Sequence, residues 1–166
     1  LIEETLNKEP VINETALLRE GIRNSESILF LGDNSGEIVL DKILIETINH
    51  PDLTYAVRGT PVINDITMED ALQTGMHNTC KVISNGNDAP STLLEFCSEE
   101  FLRVFNNAGL IISKGMGNFE GLMNVKNKNI FFLFMAKCNP IAGMMNVNTG
   151  DLIVSGKSFN QKHFNN

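Results

Sequence analysis

The sequence predicts an α/β protein, a three-layer α/β/α arrangement in which helices cover both faces of a mostly parallel sheet. Three observations carry this. Short apolar runs of strand length alternate along the chain with segments of helical period. The runs end in polar loops holding Gly, Asp, Asn, Arg or Lys, as parallel strands do at the ligand-binding edge of an open sheet. The run Ile130–Met135 is apolar throughout, as befits a strand buried on both faces.

Taken in order, residues 1–25 read as a helical lead-in. It is clearest over 14–22, where Leu17, Leu18 and Ile22 share a face and Asn13 is a candidate N-cap. A first strand at 27–31 breaks at Gly32-Asp33-Asn34-Ser35-Gly36-Glu37 into a helix over 36–50, which Pro51-Asp52 ends. A second strand, 53–57, leads into Arg58-Gly59-Thr60-Pro61-Val62-Ile63-Asn64-Asp65, and Asp65 is a candidate cap for a helix over 66–74. A third strand at 80–84 precedes the polar loop 85–90 and a helix over 92–107. A fourth, 110–113, ends in Lys114-Gly115-Met116-Gly117-Asn118-Phe119-Glu120. A fifth, 130–135, ends in Ala136-Lys137-Cys138, and 152–154 reads as an edge strand. The expected organisation is a lead-in at 1–25, one domain over 26–160, and a frayed tail at 161–166.

Composition narrows the function. With 42% hydrophobic and 20% charged residues, the 166-residue chain is ordinary for a globular domain with a substantial core. A net charge of −7 argues against a general nucleic-acid surface but not against one small phosphorylated ligand at a local positive site. The three cysteines (Cys80, Cys97, Cys138) are far apart with no CxxC pair, as expected of reduced thiols in a cytoplasmic protein. The three histidines are equally scattered, and no apolar run is long enough to span a membrane.

The strand ends hold the chemistry. Asp33 and Asn34 offer adjacent hard oxygen donors suited to a divalent cation, or they cap the following helix. Gly36 admits close backbone approach, and the helix N-terminus behind it favours an anion. Asp65 is a third oxygen donor or a helix cap. Lys114, followed by Gly115 and Gly117, suits a phosphate or is a solvated lysine. Arg58 suits a phosphate contact or an ion pair with a nearby carboxylate. Glu37 orients a ligand or favours the helix dipole, and Asp41 lies one turn on, facing the same way. Several alternatives are excluded. The first loop lacks a dinucleotide glycine pattern, and the second strand ends in a cation where a ribose would need an acid. There is no Walker A motif, no Gly-x-Ser-x-Gly elbow, and no pair of aspartates one residue apart.

The blocks Gly32–Glu37 with Asp41, Arg58–Asp65, Lys114–Glu120 and Ala136–Cys138 resemble the signature blocks of the metal-dependent damage-control phosphatases. These are also called the acidic-residue-methyltransferase-like family, formerly domain-of-unknown-function family eighty-nine. The similarity runs from about residue 26 to 155 and is strongest to the prokaryotic branch. It implies a Rossmann-like domain binding Mn²⁺ or Mg²⁺, with Co²⁺ or Ni²⁺ as alternatives. It implies hydrolysis of phosphate esters of small metabolites, sugar phosphates or damaged phosphometabolites. Asp33, Asn34 and Asp65 are the implied metal ligands, and Lys114 and Asn118 the implied phosphate contacts. Family members carry a longer helical region in front, so 1–25 is expected to be its remnant. The expected mechanism is metal-assisted phosphoryl transfer to water. Asp33, Asn34 and Lys114 carry the chemistry, with Ser35, Gly36, Glu37, Arg58, Gly115 and Asn118 around the substrate. A carboxyl methyltransferase using S-adenosylmethionine and a non-catalytic phosphometabolite-binding module are the alternatives. The expected partner is a small phosphorylated metabolite, without nucleic acid or membrane, in a chain free to form homo-oligomers.

Overall fold

The computed structural model describes residues 8–156. Their seven strands are β1 (Ile12–Asn13), β2 (Ile28–Leu31), β3 (Leu53–Val57), β4 (Lys81–Ser84), β5 (Leu110–Lys114), β6 (Ile130–Met135) and β7 (Leu152–Gly156). They form one sheet in the order β1-β7-β6-β5-β2-β3-β4. All neighbours are parallel except β6 and β7, which pair antiparallel. The helices are α1 (Thr15–Asn24), α2 (Ile38–Ile48), α3 (Met68–Gln73), α4 (Glu99–Asn107), α5 (Met116–Leu122) and α6 (Asn139–Met145).

The strand order explains which helix covers which face. From β2 the chain moves outward through β3 to β4, then returns across β2 to build β5 and β6 on the other side. Right-handed crossovers in opposite directions place their helices on opposite faces. Accordingly Leu18 of α1, Ile38 and Ile45 of α2 and Ala71 of α3 pack with Ile28, Phe30 and Ile112. Phe101 and Phe105 of α4, Phe119 and Leu122 of α5, and Ile141 and Met145 of α6 pack on the other face, with Leu29, Leu31 and Phe132. The two faces of β2 thus divide its alternate residues between two cores. Phe119 stacks on Phe134 with centroids 4.6 Å apart and meets Phe132 edge-on at 5.1 Å. The reversal of direction leaves a crevice between the carboxyl ends of β2 and β5. Open α/β sheets bind ligands at such a crevice.

The sequence expectations hold for five strands, β2 to β6, and need correction at several boundaries. Ile12–Asn13 is a strand paired with β7 rather than helix, so β7 is not the sheet edge. Asn13 receives the Thr15 amide at 3.2 Å from that strand, and Glu14 occupies the N-cap position. Asp65 does not cap α3. Thr67 does, in a capping box whose return bond runs from the Thr67 amide to Asp70 Oδ2 at 2.8 Å. The expected helix over 92–107 is interrupted, because Ser98 caps α4 by accepting the Phe101 amide at 3.2 Å. Only a 3₁₀ turn, Leu94–Phe96, precedes it. The three cysteines are unpaired. Among the described residues no helix is long and apolar enough to cross a membrane. The first part of the lead-in and the tail at 161–166 lie outside the described residues.

Candidate metal and phosphate site

The site starts where β2 gives way to the loop after Leu31. The Gly32 amide still donates to Ala56 O at 3.0 Å, and the next residues turn toward the loop that follows β3. There the Ile66 amide donates to Asp33 O and the Ser35 amide to Asn64 O, both at 2.9 Å. These two bonds flank Asn34 and Asp65, which face each other in a short antiparallel bridge. In a pair of this kind the two side chains stand on the same side, with Cβ atoms about 4.5–5.5 Å apart. Residues 31 positions apart are thereby set against one another, with Asp33 beside them.

Asp33 is 8% exposed at the end of β2. Its Oδ2 accepts from Asn34 Nδ2 at 2.9 Å, and the same amide nitrogen donates to Glu37 Oε1 at 2.7 Å. That use of the nitrogen leaves the Asn34 carbonyl oxygen for another partner. Asp65 Oδ2 accepts from Arg58 Nε at 2.6 Å, leaving its second oxygen for another partner. Burial, then the negative charges of Glu37 and Asp65, push the Asp33 carboxyl up to about 6, against the smaller pull of Lys137 and Arg58. A carboxylate crowded by carboxylates and short of cations suits a bound cation. Two carboxylates and an amide are hard donors of the kind Mg²⁺ and Mn²⁺ accept, so the residues fit the implied metal. Among the described residues no three His, Cys, Asp or Glu side chains gather as a metal-holding group; here the third donor is an amide.

From the other side of the crevice comes Lys114, the last residue of β5. Its ammonium donates to Glu37 Oε2 and, at 2.9 Å, to Asp41 Oδ1. Burial alone would lower the Lys114 ammonium, but Asp41 and Glu37 outweigh it and hold it above its ordinary value. The Glu37 carboxyl is held below its ordinary value, because hydrogen bonds from Lys114 and Asn34 outweigh its own burial. Gly115 follows at φ +85°, and a Cβ there would lie 2.1 Å from Asp33 Cγ. Only glycine lets β5 close on the Asp33 carboxylate.

Other expected contacts have different surroundings. Arg58 is 3% exposed, and its guanidinium donates to Asp65, to Thr92 Oγ1 at 3.2 Å and to Asn118 Oδ1 at 2.9 Å. Of the two roles the sequence left open, the ion pair is the one observed. Asn118 is fully buried: Nδ2 donates to Gly32 O and Lys114 O, while Oδ1 accepts from Arg58 and Thr92. Its amide is saturated by protein. In this structure it is a tie between β2, β5 and Arg58, in place of the implied phosphate contact. The amide donors expected at the α2 end are largely engaged as well. Ser35 donates to Asn64 O, Glu37 to Asn34 O and Ile38 to Ser35 O. Gly36 is exposed, with nothing within 4 Å of where a Cβ would be. Thr92 went unnoticed in the sequence, and no local pattern marks it.

A cavity of about 350 Å³ opens beside these groups. Asp33, Glu37, Lys114, Gly115 and Lys137 line one end, and Met116, Leu133, Met135, Leu152 and Val154 line much of the rest. Cys138 is half-buried and packs against the core.

This geometry defines a Rossmann-like α/β domain with acidic and basic groups gathered at its topological switch point. The chain belongs to the family of the damage-control phosphatase ARMT1-like domain, which matches residues 1–153. A Methanocaldococcus jannaschii protein described as uncharacterised is 41% identical over 161 residues, covering 93% of this chain and 53% of its own. A damage-control phosphatase of Pyrococcus horikoshii is 37% identical, covering 95% of this chain and 56% of its own. One from Archaeoglobus fulgidus is 36% identical over 145 residues, 86% of this chain and 50% of its own. The crystal structure of a DUF89 family protein from P. horikoshii superposes with a TM-score of 0.89 at 37% identity, covering 94% of this chain and 56% of that one. The chain spans about half the length of the curated relatives it matches.

Proposed function

We propose that this chain carries the metal- and phosphate-binding part of a divalent-metal-dependent phosphatase. Its substrates are phosphate esters of small metabolites, sugar phosphates or damaged phosphometabolites. The observation that carries the reading is the bridge that sets Asn34 against Asp65 beside Asp33, facing Lys114 across the switch-point crevice. Two relatives named damage-control phosphatases support it.

In this reading Asp33, Asp65 and the Asn34 carbonyl hold Mn²⁺ or Mg²⁺. When bound, the ion supplies charge neutralisation at the phosphoryl oxygens and a more acidic water. Lys114 uses two of its three N–H donors on Glu37 and Asp41 and presents the third to a phosphoryl oxygen. Lys137 at the cavity rim adds a second positive charge. Glu37 steadies both the Asn34 amide and the Lys114 ammonium. Arg58 fixes the Asp65 carboxylate, and the ester's alcohol portion lies along the apolar wall.

The test is a Mn²⁺ titration beside phosphate release from para-nitrophenyl phosphate, with and without a chelator. Release should require metal, and Asp33→Ala should lose both Mn²⁺ binding and release. An Asp33→Ala variant that keeps parental Mn²⁺ affinity would sink the assignment.

A further inference from the structure

Tyr55 is the one tyrosine in the sequence, and it is completely buried in β3. Its ring stacks on Phe30 of β2 with centroids 5.5 Å apart, and its hydroxyl donates to Asp41 Oδ2 at 2.8 Å. Asp41, on α2, is 2% exposed. Its other oxygen, Oδ1, accepts from Lys114 at 2.9 Å. The two oxygens of one buried carboxylate are thus divided between a phenol from β3 and an ammonium from β5, the two strands that flank β2.

The path between them crosses Gly32. A Cβ on Gly32 would lie 2.4 Å from the Tyr55 hydroxyl oxygen and 2.8 Å from Cζ. The residue that opens the first signature block is therefore bare for a local reason: any side chain there would push the phenol away from Asp41. A buried carboxylate is costly unless its oxygens are satisfied, and this one is satisfied from both sides. Lys114 has four methylene groups and many rotamers. Two carboxylates converging on its nitrogen leave it one orientation, with the remaining donor free.

We propose that Tyr55 and Asp41 are positioning residues that aim the Lys114 ammonium, with Gly32 providing the passage between them. The catalytic consequence rests on the phosphatase reading, whereas the orientation of Lys114 does not.

The experiment uses Tyr55→Phe and Asp41→Asn in the whole chain with three readouts. The first is the rate at which acetic anhydride modifies Lys114, measured by peptide mass spectrometry against exposed Lys81 as the internal reference. The second is kcat and KM for para-nitrophenyl phosphate with Mn²⁺, and the third is Mn²⁺ affinity. Lys114 should acetylate at least about fivefold faster in both variants, since loss of one hydrogen bond to a charged group is worth about a tenfold change in an equilibrium. The kcat should fall about tenfold in Tyr55→Phe and about 10²-fold in Asp41→Asn, the scale of one displaced electrostatic stabiliser. KM and Mn²⁺ affinity should stay within about twofold of the parent, because neither residue touches metal or substrate. Unchanged acetylation in both variants overturns the proposal. So does a kcat loss that merely follows a loss of Mn²⁺ affinity, which is what general loosening produces. A parent chain that binds Mn²⁺ but releases no phosphate counts against the phosphatase reading, and the acetylation rates then decide the positioning alone. If Tyr55→Phe does not fold, the near-isosteric Asp41→Asn decides.

Discussion

Two polar clusters lie side by side at the carboxyl edge of the sheet, each built around a cation that follows or ends a strand. Around Arg58 the cluster is closed. Arg58 is 3% exposed, its guanidinium donates to Asp65, Thr92 and Asn118, and Asn118 beside it has all its hydrogen-bonding capacity filled. Around Lys114 the cluster is open: its side chain is 19% exposed, it borders a cavity of about 350 Å³, and one donor is left over. The residue types suit the two roles. A planar guanidinium with five donors can tie several elements at once, while a flexible ammonium can hold two carboxylates and still reach a ligand. The closed cluster is scaffold for Asp65, and the open one borders the cavity.

The largest effect that tests this division is on stability. Arg58→Ala should leave the Asp65 carboxylate and the Asn118 carbonyl buried without their cation and destabilise the chain by about 3–5 kcal/mol. Chemical denaturation of the metal-free protein would read this, and a loss under 1 kcal/mol would show that the cluster is not closed. Lys114→Ala should be milder in stability, about 1–2 kcal/mol, because Asp41 keeps its tyrosine and water reaches the lysine head. Its turnover should fall about 10²- to 10³-fold with Mn²⁺ affinity nearly unchanged. Joint loss of metal binding and turnover would move Lys114 into the scaffold.

The smallest effect concerns the junction of the clusters. Burial and the charges of Glu37 and Asp65 raise the Asp33 carboxyl from 3.8 to about 6. A raised carboxyl binds its proton more tightly in the folded state, so ionised Asp33 destabilises the metal-free protein as pH climbs from about 4 through 6. Asp33→Asn should therefore be more stable than the parent above pH 6, by about 1–2 kcal/mol, and the gap should close toward pH 4. Excess Mn²⁺ should reverse the order above pH 6, since only the parent gains stability by binding it. Equal stability of the two proteins across that range, without metal, would mean that Asp33 carries no uncompensated charge.

Much of this was legible in the chain because strand ends are local. Asp33 and Asn34, Arg58 and Asp65, and Lys114 each follow or end an apolar run, and a parallel sheet brings such ends to one edge whatever the strand order. Helix starts were less legible because several nearby residues compete for each cap. Asp65 and Thr67 are both good caps, and Thr67 prevails because Asp70 completes its box while Asp65 is held by Arg58. Asn118 entered as a phosphate contact through the family resemblance alone. Nothing local reveals that Thr92 and Arg58, 26 and 60 residues earlier, fill its amide.

The sequence by itself determined the layer architecture, the central strands and the polar residues at their ends, because these depend on periodicity and on turn chemistry a few residues long. Tertiary structure alone decided the order β5-β2-β3, which makes the crevice beside Asp33, and the register that faces Asn34 with Asp65. It also decided the passage over Gly32 by which Tyr55 reaches Asp41. Each of these joins residues that are distant along the chain and is settled by packing two faces of one sheet at once, a constraint no short window of sequence contains.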